Sequence, residues 1–249
     1  MTGLITGPKT GQRAAIFGAS GGIGGAIVAQ LADTGNYSEI HAGGRTLPSV
    51  KYPAVTPFTF DLTDEASIAS AAQTIGAGGP VDLAIIATGI LHDQSALMPE
   101  KSARALDGDA MARIFAVNTI GPALIAKHIL PLMRRDGRAV FAGLSAKVGS
   151  ISDNRLGGWH SYRASKAALN MLFRNFAIEF AGRNPQGIVV TIHPGTVDTA
   201  LSRPFQRGVP PAKLLEPKQS AAQILSVLDG LSPQDSGGLF AWSGERIPF

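Results

Sequence analysis

The chain predicts a doubly wound α/β domain, a parallel sheet with helices on both faces, on three observations. Short apolar runs alternate with segments of helical period along the 249 residues. One run, "VDLAIIAT", is continuously apolar over strand length, the pattern of a strand buried on both faces. A glycine cluster, "GASGGIG", follows the first run at once and opens a helical segment. No repeat and no Pro-, Gly- or Ser-rich linker divides the chain, so residues 1–249 read as one domain, long enough for a large core.

Taken in order, "RAAIF" is a short buried strand and "IVAQLADTG" an apolar-faced helix closed by Gly35. "EIHAGG" and "AVTPFTF" are the second and third strands, and Asp64 is placed to cap the helix "EASIASAAQTIG". "VDLAIIAT" is the fourth strand. A long helical region from Asp107 to Arg134 follows, in which Gly121 and Pro122 are expected to kink the helix or loosen one turn. "RAVFAGLS" is the fifth strand, "SYRASKAALNMLFRNFAIEFAG" a second long helix and "IVVTIHPG" the sixth strand. Residues from about 200 to 217 are proline-rich without a clear period and read as a long loop over the site. "KQSAAQILSVLDGL" and "GGLFAW" supply the last helix and strand.

Composition narrows the partners. A hydrophobic share of 45% against 16% charged residues excludes a disordered chain. The net charge of +4 is spread over scattered basic residues, so no nucleic-acid partner is expected. Without cysteine there is neither a disulfide nor a thiolate metal site, and the dispersed histidines show no ligand spacing, so no metal is expected. The beginning "MTGLITGPKTGQR" has no signal pattern and "LAIIATGIL" is too short to cross a bilayer, so the expectation is a cytoplasmic protein with no membrane partner.

The motifs lie where such a fold binds ligands, just after the strands. Gly18, Gly22 and Gly24 form the pattern G-x-x-x-G-x-G, and with Ser20 and Ile23 they make the first turn into a helix. Such a turn brings free N–H groups to a pyrophosphate; it can also serve only to pack helix on strand. An NAD-preferring site places an acid after the second strand, whereas this chain has Gly44 and then Arg45. A guanidinium suits a 2′-phosphate, so NADP(H) is favoured and NAD(H) is possible. Asp61 is placed either to reach the adenine edge or to cap the next helix.

The segments "GASGGIG", "VNTIGP", a serine after the fifth strand, "YRASK" and "HPGTVDT" resemble, in order and position, the short-chain dehydrogenase/reductase family over nearly the whole chain. "GSISDNRLGGWHSYRASKAALN" and the ending "GERIPF" are similar to its C-factor-like branch. The resemblance implies a Rossmann-like fold, hydride transfer between NADP(H) and a small carbonyl or alcohol substrate, and catalytic Ser145, Tyr162, Lys166 and Asn118. It gives Asn118 a water-linked proton relay toward the lysine. It also implies that Gly89, Pro194, Gly195, Val197 and Thr199 border the cofactor, along with Asn118, Tyr162 and Lys166. Members pair as homodimers or homotetramers through the two long helices, here Asp107–Arg134 and Ser161–Gly182.

The residues agree with that chemistry. Tyr162 and Lys166 are four apart and share one helix face, where an ammonium is expected to lower the pKa of the phenol. Ser145 lies 17 residues before Tyr162, more than the family's usual dozen or so, and Ser150 is its rival for holding the substrate oxygen. Ser145 is preferred because it directly follows the apolar strand. Trp159 and His160 either line the substrate pocket or pack in the ordinary way. One departure stands out: "IATG" replaces the family's Asn-Asn-Ala-Gly after the fourth strand, so hydrogen bonding there must differ. The alternative function is a cofactor-binding signalling or regulatory protein with little turnover. A nucleotide-sugar epimerase is disfavoured because no sizeable substrate domain follows the last strands.

Overall fold

The computed structural model describes residues 11–49, 51–93 and 97–249. The first ten residues, on which the expectation about a signal pattern rests, lie outside the described ones. The described residues build an eight-stranded sheet in the order β10-β9-β6-β5-β4-β1-β2-β3. Its strands are β1 (Gln12–Phe17), β2 (Tyr37–Gly44), β3 (Val55–Thr59), β4 (Leu83–Ile86), β5 (Ala139–Leu144), β6 (Gly187–His193), β9 (Leu239–Ala241) and β10 (Arg246–Ile247). All neighbours pair in parallel except β10, which runs antiparallel to β9.

Alternation along the strands makes two apolar layers. Ala15, Phe17, Ala84, Phe141 and Val189 face α2 (Glu65–Gly76), α4 (Gly121–Ile129) and α5 (His160–Ala181). Ala14, Ile16, Ile85, Val140 and Val190 face α1 (Gly22–Thr34) and α6 (Pro217–Gly230). Phe141 stacks on Phe173 of α5 with ring centroids 5.4 Å apart, which fixes that helix under β5. The chain steps outward from β1 through β2 to β3, then returns to place β4 on the other side of β1. The carboxyl ends of β1 and β4 are therefore the switch point where such a sheet opens a crevice.

Several sequence expectations are met in detail. Gly35 ends α1 in the left-handed conformation (φ 65°), and the Asp64 side chain caps α2 by accepting from the Ala66 N–H at 3.0 Å. The long helical region is less regular than its composition suggests. It consists of α3 (Gly108–Phe115), a π-helical turn (Ala116–Ile120), α4 and a short 3₁₀ turn (Leu130–Leu132). Pro122 has no N–H to donate, and the helix widens just upstream, where Gly121 N–H reaches back five residues to the Ala116 carbonyl. Gly108–Leu132 is also longer than the apolar run singled out above, with 25 residues, and its most apolar stretch of 18 has a mean hydropathy of 1.3. By length and composition it could cross a membrane, but in this fold Ile125, Ala126 and Ile129 belong to the core.

The region from about 200 to 217 is not a structureless loop. It carries 3₁₀ turns at Arg203–Phe205 and Pro211–Lys213, and β8 (Leu214–Leu215) pairs in parallel with β7 (Thr196–Val197). Near the end of the chain, Leu239, Ala241 and Ile247 form a small buried cluster on the sheet.

Candidate active site

A cleft of about 690 Å³ opens at the switch point, walled by Gly18, Ser20, Gly21, Gly44, Arg45, Asp61 and Gly89, with Leu201 opposite. The glycine loop is tied down by its backbone: the Gly18 and Ala19 N–H groups both donate to the Gly43 carbonyl at 2.8 Å. Gly18 sits at φ 98°, and a Cβ on Gly24 would stand 2.2 Å from the Gly18 carbonyl oxygen. The first turn of α1 thus folds back against the loop at a spacing only glycine permits. Replacing Gly24 by alanine should lower stability by about 1–3 kcal/mol, the usual cost of overpacking. Urea denaturation at neutral pH checks this, and an unchanged midpoint would remove the close approach as the reason for the glycine. Gly22 lies under Thr199, whose methyl is 3.0 Å from where a Cβ would be, and half-buried Ile23 packs against the α1–α6 layer.

The α1 N-terminus has no side-chain cap and no acidic residue in its first turn, so its N–H groups stay available to an anion. Asp61 does not cap α2; its Oδ1 accepts from the Thr63 N–H at 2.8 Å and the Thr63 hydroxyl at 2.7 Å. Those bonds, with a smaller contribution from Arg45, hold its carboxyl below the usual range.

Next to Gly89, which lines the cleft, Asn118 and Lys166 converge. A Cβ on Gly89 would be 3.3 Å from Asn118 Oδ1 and 3.5 Å from Lys166 Nζ. Asn118 sits in the π-helical turn, and its amide clamps Ile90 from both sides: Oδ1 accepts from the Ile90 N–H and Nδ2 donates to the Ile90 carbonyl, each at 2.8 Å. Nδ2 also reaches Ser165 Oγ at 3.2 Å. With "IATG" after β4, it is this side chain that holds the segment following the strand.

Lys166 Nζ donates to the Leu144 carbonyl at 2.9 Å and lies 5.9 Å from the centre of the Tyr162 ring. Both side chains are buried, and this reverses one expectation. Burial pushes the Tyr162 phenol up to about 12 rather than letting the lysine lower it, and pushes the Lys166 ammonium down to about 8. The helix that carries them starts at Trp159, in the left-handed conformation (φ 51°) and without a side-chain cap. Glu100 does the capping instead: its carboxylate accepts from the Ser161 N–H at 3.2 Å and from the Ser161 hydroxyl, and its carbonyl accepts from the Trp159 N–H at 2.6 Å. Trp159 packs in a cluster with Tyr162, while His160 is the first residue of α5.

Neither candidate serine turns its hydroxyl toward Tyr162. Ser145 Oγ donates to Asn170 Oδ1 on α5 at 2.7 Å, and the residue is 4% exposed. The alternation that sends Phe141 to the α5 face sends Ser145 there too. Ser150 Oγ accepts from the Asp153 N–H at 3.2 Å within its own loop. The side chain that packs with Tyr162 at this strand end is Ala146. Beyond β6, Pro194 offers its carbonyl to the Ser220 hydroxyl at 2.8 Å and Gly195 adopts φ 83°. The Val197 carbonyl accepts from Ser202 Oγ and, at 3.4 Å, from Thr199 Oγ1.

Sequence reasoning missed Asn170, Ser165 and Glu100. Asn170 continues the Tyr162–Lys166 stripe by another four residues, so extending the same rule would find it. Glu100 acts across 61 positions of chain and leaves no local signal.

Comparison with known proteins fits this geometry. The family model for short chain dehydrogenases matches residues 12–209, which hold the glycine loop, Asn118, Tyr162 and Lys166. C-signal of Myxococcus xanthus is 36% identical over 172 residues, covering 69% of this chain and 94% of that protein. A 1-hydroxy-2-glutathionyl-2-methyl-3-butene dehydrogenase of a Rhodococcus species is 30% identical over 233 residues, 89% of this chain and 92% of the relative. Among solved structures, the NADPH-bound carbonyl reductase from chicken fatty liver superposes with a TM-score of 0.83 at 26% identity, over 96% of this chain and 99% of that one. A match that runs from the first strand past the tyrosine helix makes this chain a member of the short-chain dehydrogenase family.

Proposed function

We propose that the protein is an NADP(H)-dependent oxidoreductase acting on a carbonyl/alcohol pair, with Tyr162 as proton donor or acceptor. The observation that carries this reading is the meeting of Lys166 and Asn118 beside Tyr162 and next to Gly89, which lines the same cleft as Arg45. The residues fit a dinucleotide: an uncapped helix N-terminus and a glycine loop for the pyrophosphate, a guanidinium for a 2′-phosphate, and a buried amine for the nicotinamide ribose. When bound, NADP(H) supplies or accepts the hydride.

The chain's own part is the proton. A phenol at about 12 keeps its proton at neutral pH and gives it only to a stronger base, which a carbonyl oxygen becomes as it turns into an alkoxide. The Lys166 cation 5.9 Å from the ring lowers the cost of the phenolate left behind. Asn118 holds the Ile90 backbone in place beside the lysine, along the path by which water would return a proton to it. Ser145 has its hydroxyl committed to Asn170, so Tyr162 bears the substrate oxygen and Ser145 steadies α5. Self-association belongs to the same proposal, since Met171 and Ile178 of α5 stand 62% and 61% exposed.

The test is thermal stabilisation by NADPH and by NADH, followed by reduction of a carbonyl panel. NADPH should stabilise more, and Arg45→Ala should bring the two cofactors to parity; equal stabilisation of the unaltered protein overturns the NADP(H) preference. Stabilisation without turnover of any carbonyl would favour the second reading, a regulatory or signalling protein, for which the similarity to C-signal speaks.

A further inference from the structure

A chain of aromatic rings leads outward from Tyr162. Its ring meets Trp159 edge-on at 6.2 Å, Trp159 meets Phe205 at 5.0 Å, and Phe205 meets His92 at 5.6 Å, all at steep interplanar angles of 61° to 76°. The remaining members of the cluster are Leu91, Ala146, Val148 and Leu201. Two features of the backbone hold this arrangement. Trp159 is the one described residue other than glycine with positive φ, and it is held there by its N–H bond to the Glu100 carbonyl. That strain, about 1–3 kcal/mol by general experience, is spent on presenting an indole beside the phenol rather than on closing the helix. Phe205 comes from the other side, on the 3₁₀ turn of the region after β6, and Leu201 of the same region also faces the cleft.

Ring centres 5.0 Å apart in an edge-to-face pair leave no gap for a third ring between them. Phe205 therefore shows how a flat apolar group packs against Trp159, the contact a substrate ring in its place would make. We infer that the site takes carbonyl compounds bearing a flat aromatic ring next to the reacting carbon, and that Trp159 and Phe205 determine this preference. The inference rests on the oxidoreductase reading above and adds the substrate class. An aromatic ring presents a positive edge and a negative face to such neighbours, which a saturated ring of similar size does not.

The experiment compares benzaldehyde with cyclohexanecarbaldehyde, which have the same ring size and the same carbonyl group but differ in flatness and π-character. The ratio of their kcat/KM values with NADPH is measured for the unaltered protein, Trp159→Leu and Phe205→Leu. The ratio should fall by about fivefold in Trp159→Leu, the factor one lost ring pair carries, and should shift in Phe205→Leu as well. A ratio that stays within about twofold in both variants, while turnover remains dependent on Tyr162, overturns the ring preference and leaves the oxidoreductase reading intact. Binding separates the two claims further. Benzamide and cyclohexanecarboxamide are titrated calorimetrically into the NADP⁺-saturated protein. Tighter binding of benzamide that Trp159→Leu abolishes supports the ring preference even if neither aldehyde turns over, in which case it is the oxidoreductase reading that falls. Phe205 lies on a half-buried surface turn, so its variant keeps the test decisive should Trp159→Leu fail to fold.

Discussion

Tyr162→Phe is expected to lower kcat/KM for carbonyl reduction by about 10³, within the range that loss of a positioned proton donor costs. It should leave NADPH binding within a few-fold. The variant removes one oxygen from a side chain that is 8% exposed, so the ring and its contacts with Trp159, Leu91 and Ala146 persist. Since the phenol lies at about 12, removing it should not alter the pH dependence of cofactor binding in the neutral range. In the same assay Ser145→Ala should cost less than about tenfold, because its hydroxyl is already given to Asn170 and is not held out to a substrate. Steady-state kinetics and calorimetric titration of NADPH check both variants. A serine variant as impaired as the tyrosine variant, with the tyrosine variant's cofactor binding intact, would require the Ser145 hydroxyl to leave Asn170 during turnover.

What could be read from the chain alone follows the range of the interactions involved. Helix α2 and its Asp64 cap depend on residues within one turn of each other, and both agree with the sequence to the residue. The glycine loop is local only in part: the close approach of Gly24 to Gly18 lies within the motif, whereas the bonds from Gly18 and Ala19 reach Gly43 on the neighbouring strand. The π-helical turn is half legible. Pro122 announces a missing donor, but whether the helix kinks or widens depends on Asn118 finding Ile90 across the cleft. The strands β7 and β8, two residues each, are too short to show any period. The direction of Ser145 was available from alternation along β5, once Phe141 is assigned to the α5 face. The pKa of Tyr162 was not. Spacing four residues apart brings the ammonium near, but it says nothing of how deeply both groups are buried, and burial is what shifts both.

Lys166→Met separates activity from stability most sharply. The lysine is buried against the turn Lys147–Gly149, where a Cβ on Gly149 would lie 2.8 Å from the lysine's own Cβ, and its ammonium finds a single carbonyl. Burial takes the amine from its ordinary 10.5 to about 8, so the folded protein releases this proton while the unfolded chain still holds it. Between about pH 8 and 10.5 the unfolded state binds more protons, and stability must rise with pH across that window. Below pH 8 the full penalty applies, a difference of about 2.5 pKa units (10.5 − 8) or about 3 kcal/mol. Tyr162 acts in the opposite sense at higher pH: its proton stays on to about 12 in the fold and leaves at about 10 in the unfolded chain, so stability falls between those values. Methionine fills similar space without charge, and its main cost is the Leu144 carbonyl left without its donor, about 1–3 kcal/mol. At pH 7 the variant should thus unfold at the same urea concentration as the parent or higher, and its rise in stability from pH 8 to 10.5 should vanish. On the proposed mechanism its kcat/KM should nevertheless fall by about 10² or more, because that mechanism gives the lysine both the phenolate and the nicotinamide ribose to hold. A variant destabilised by more than about 2 kcal/mol at pH 7, with the alkaline rise retained, would show that the ammonium is held by favourable contacts stronger than its desolvation. A lysine kept where it costs stability fits the proposed proton transfer at Tyr162, which packing alone does not call for.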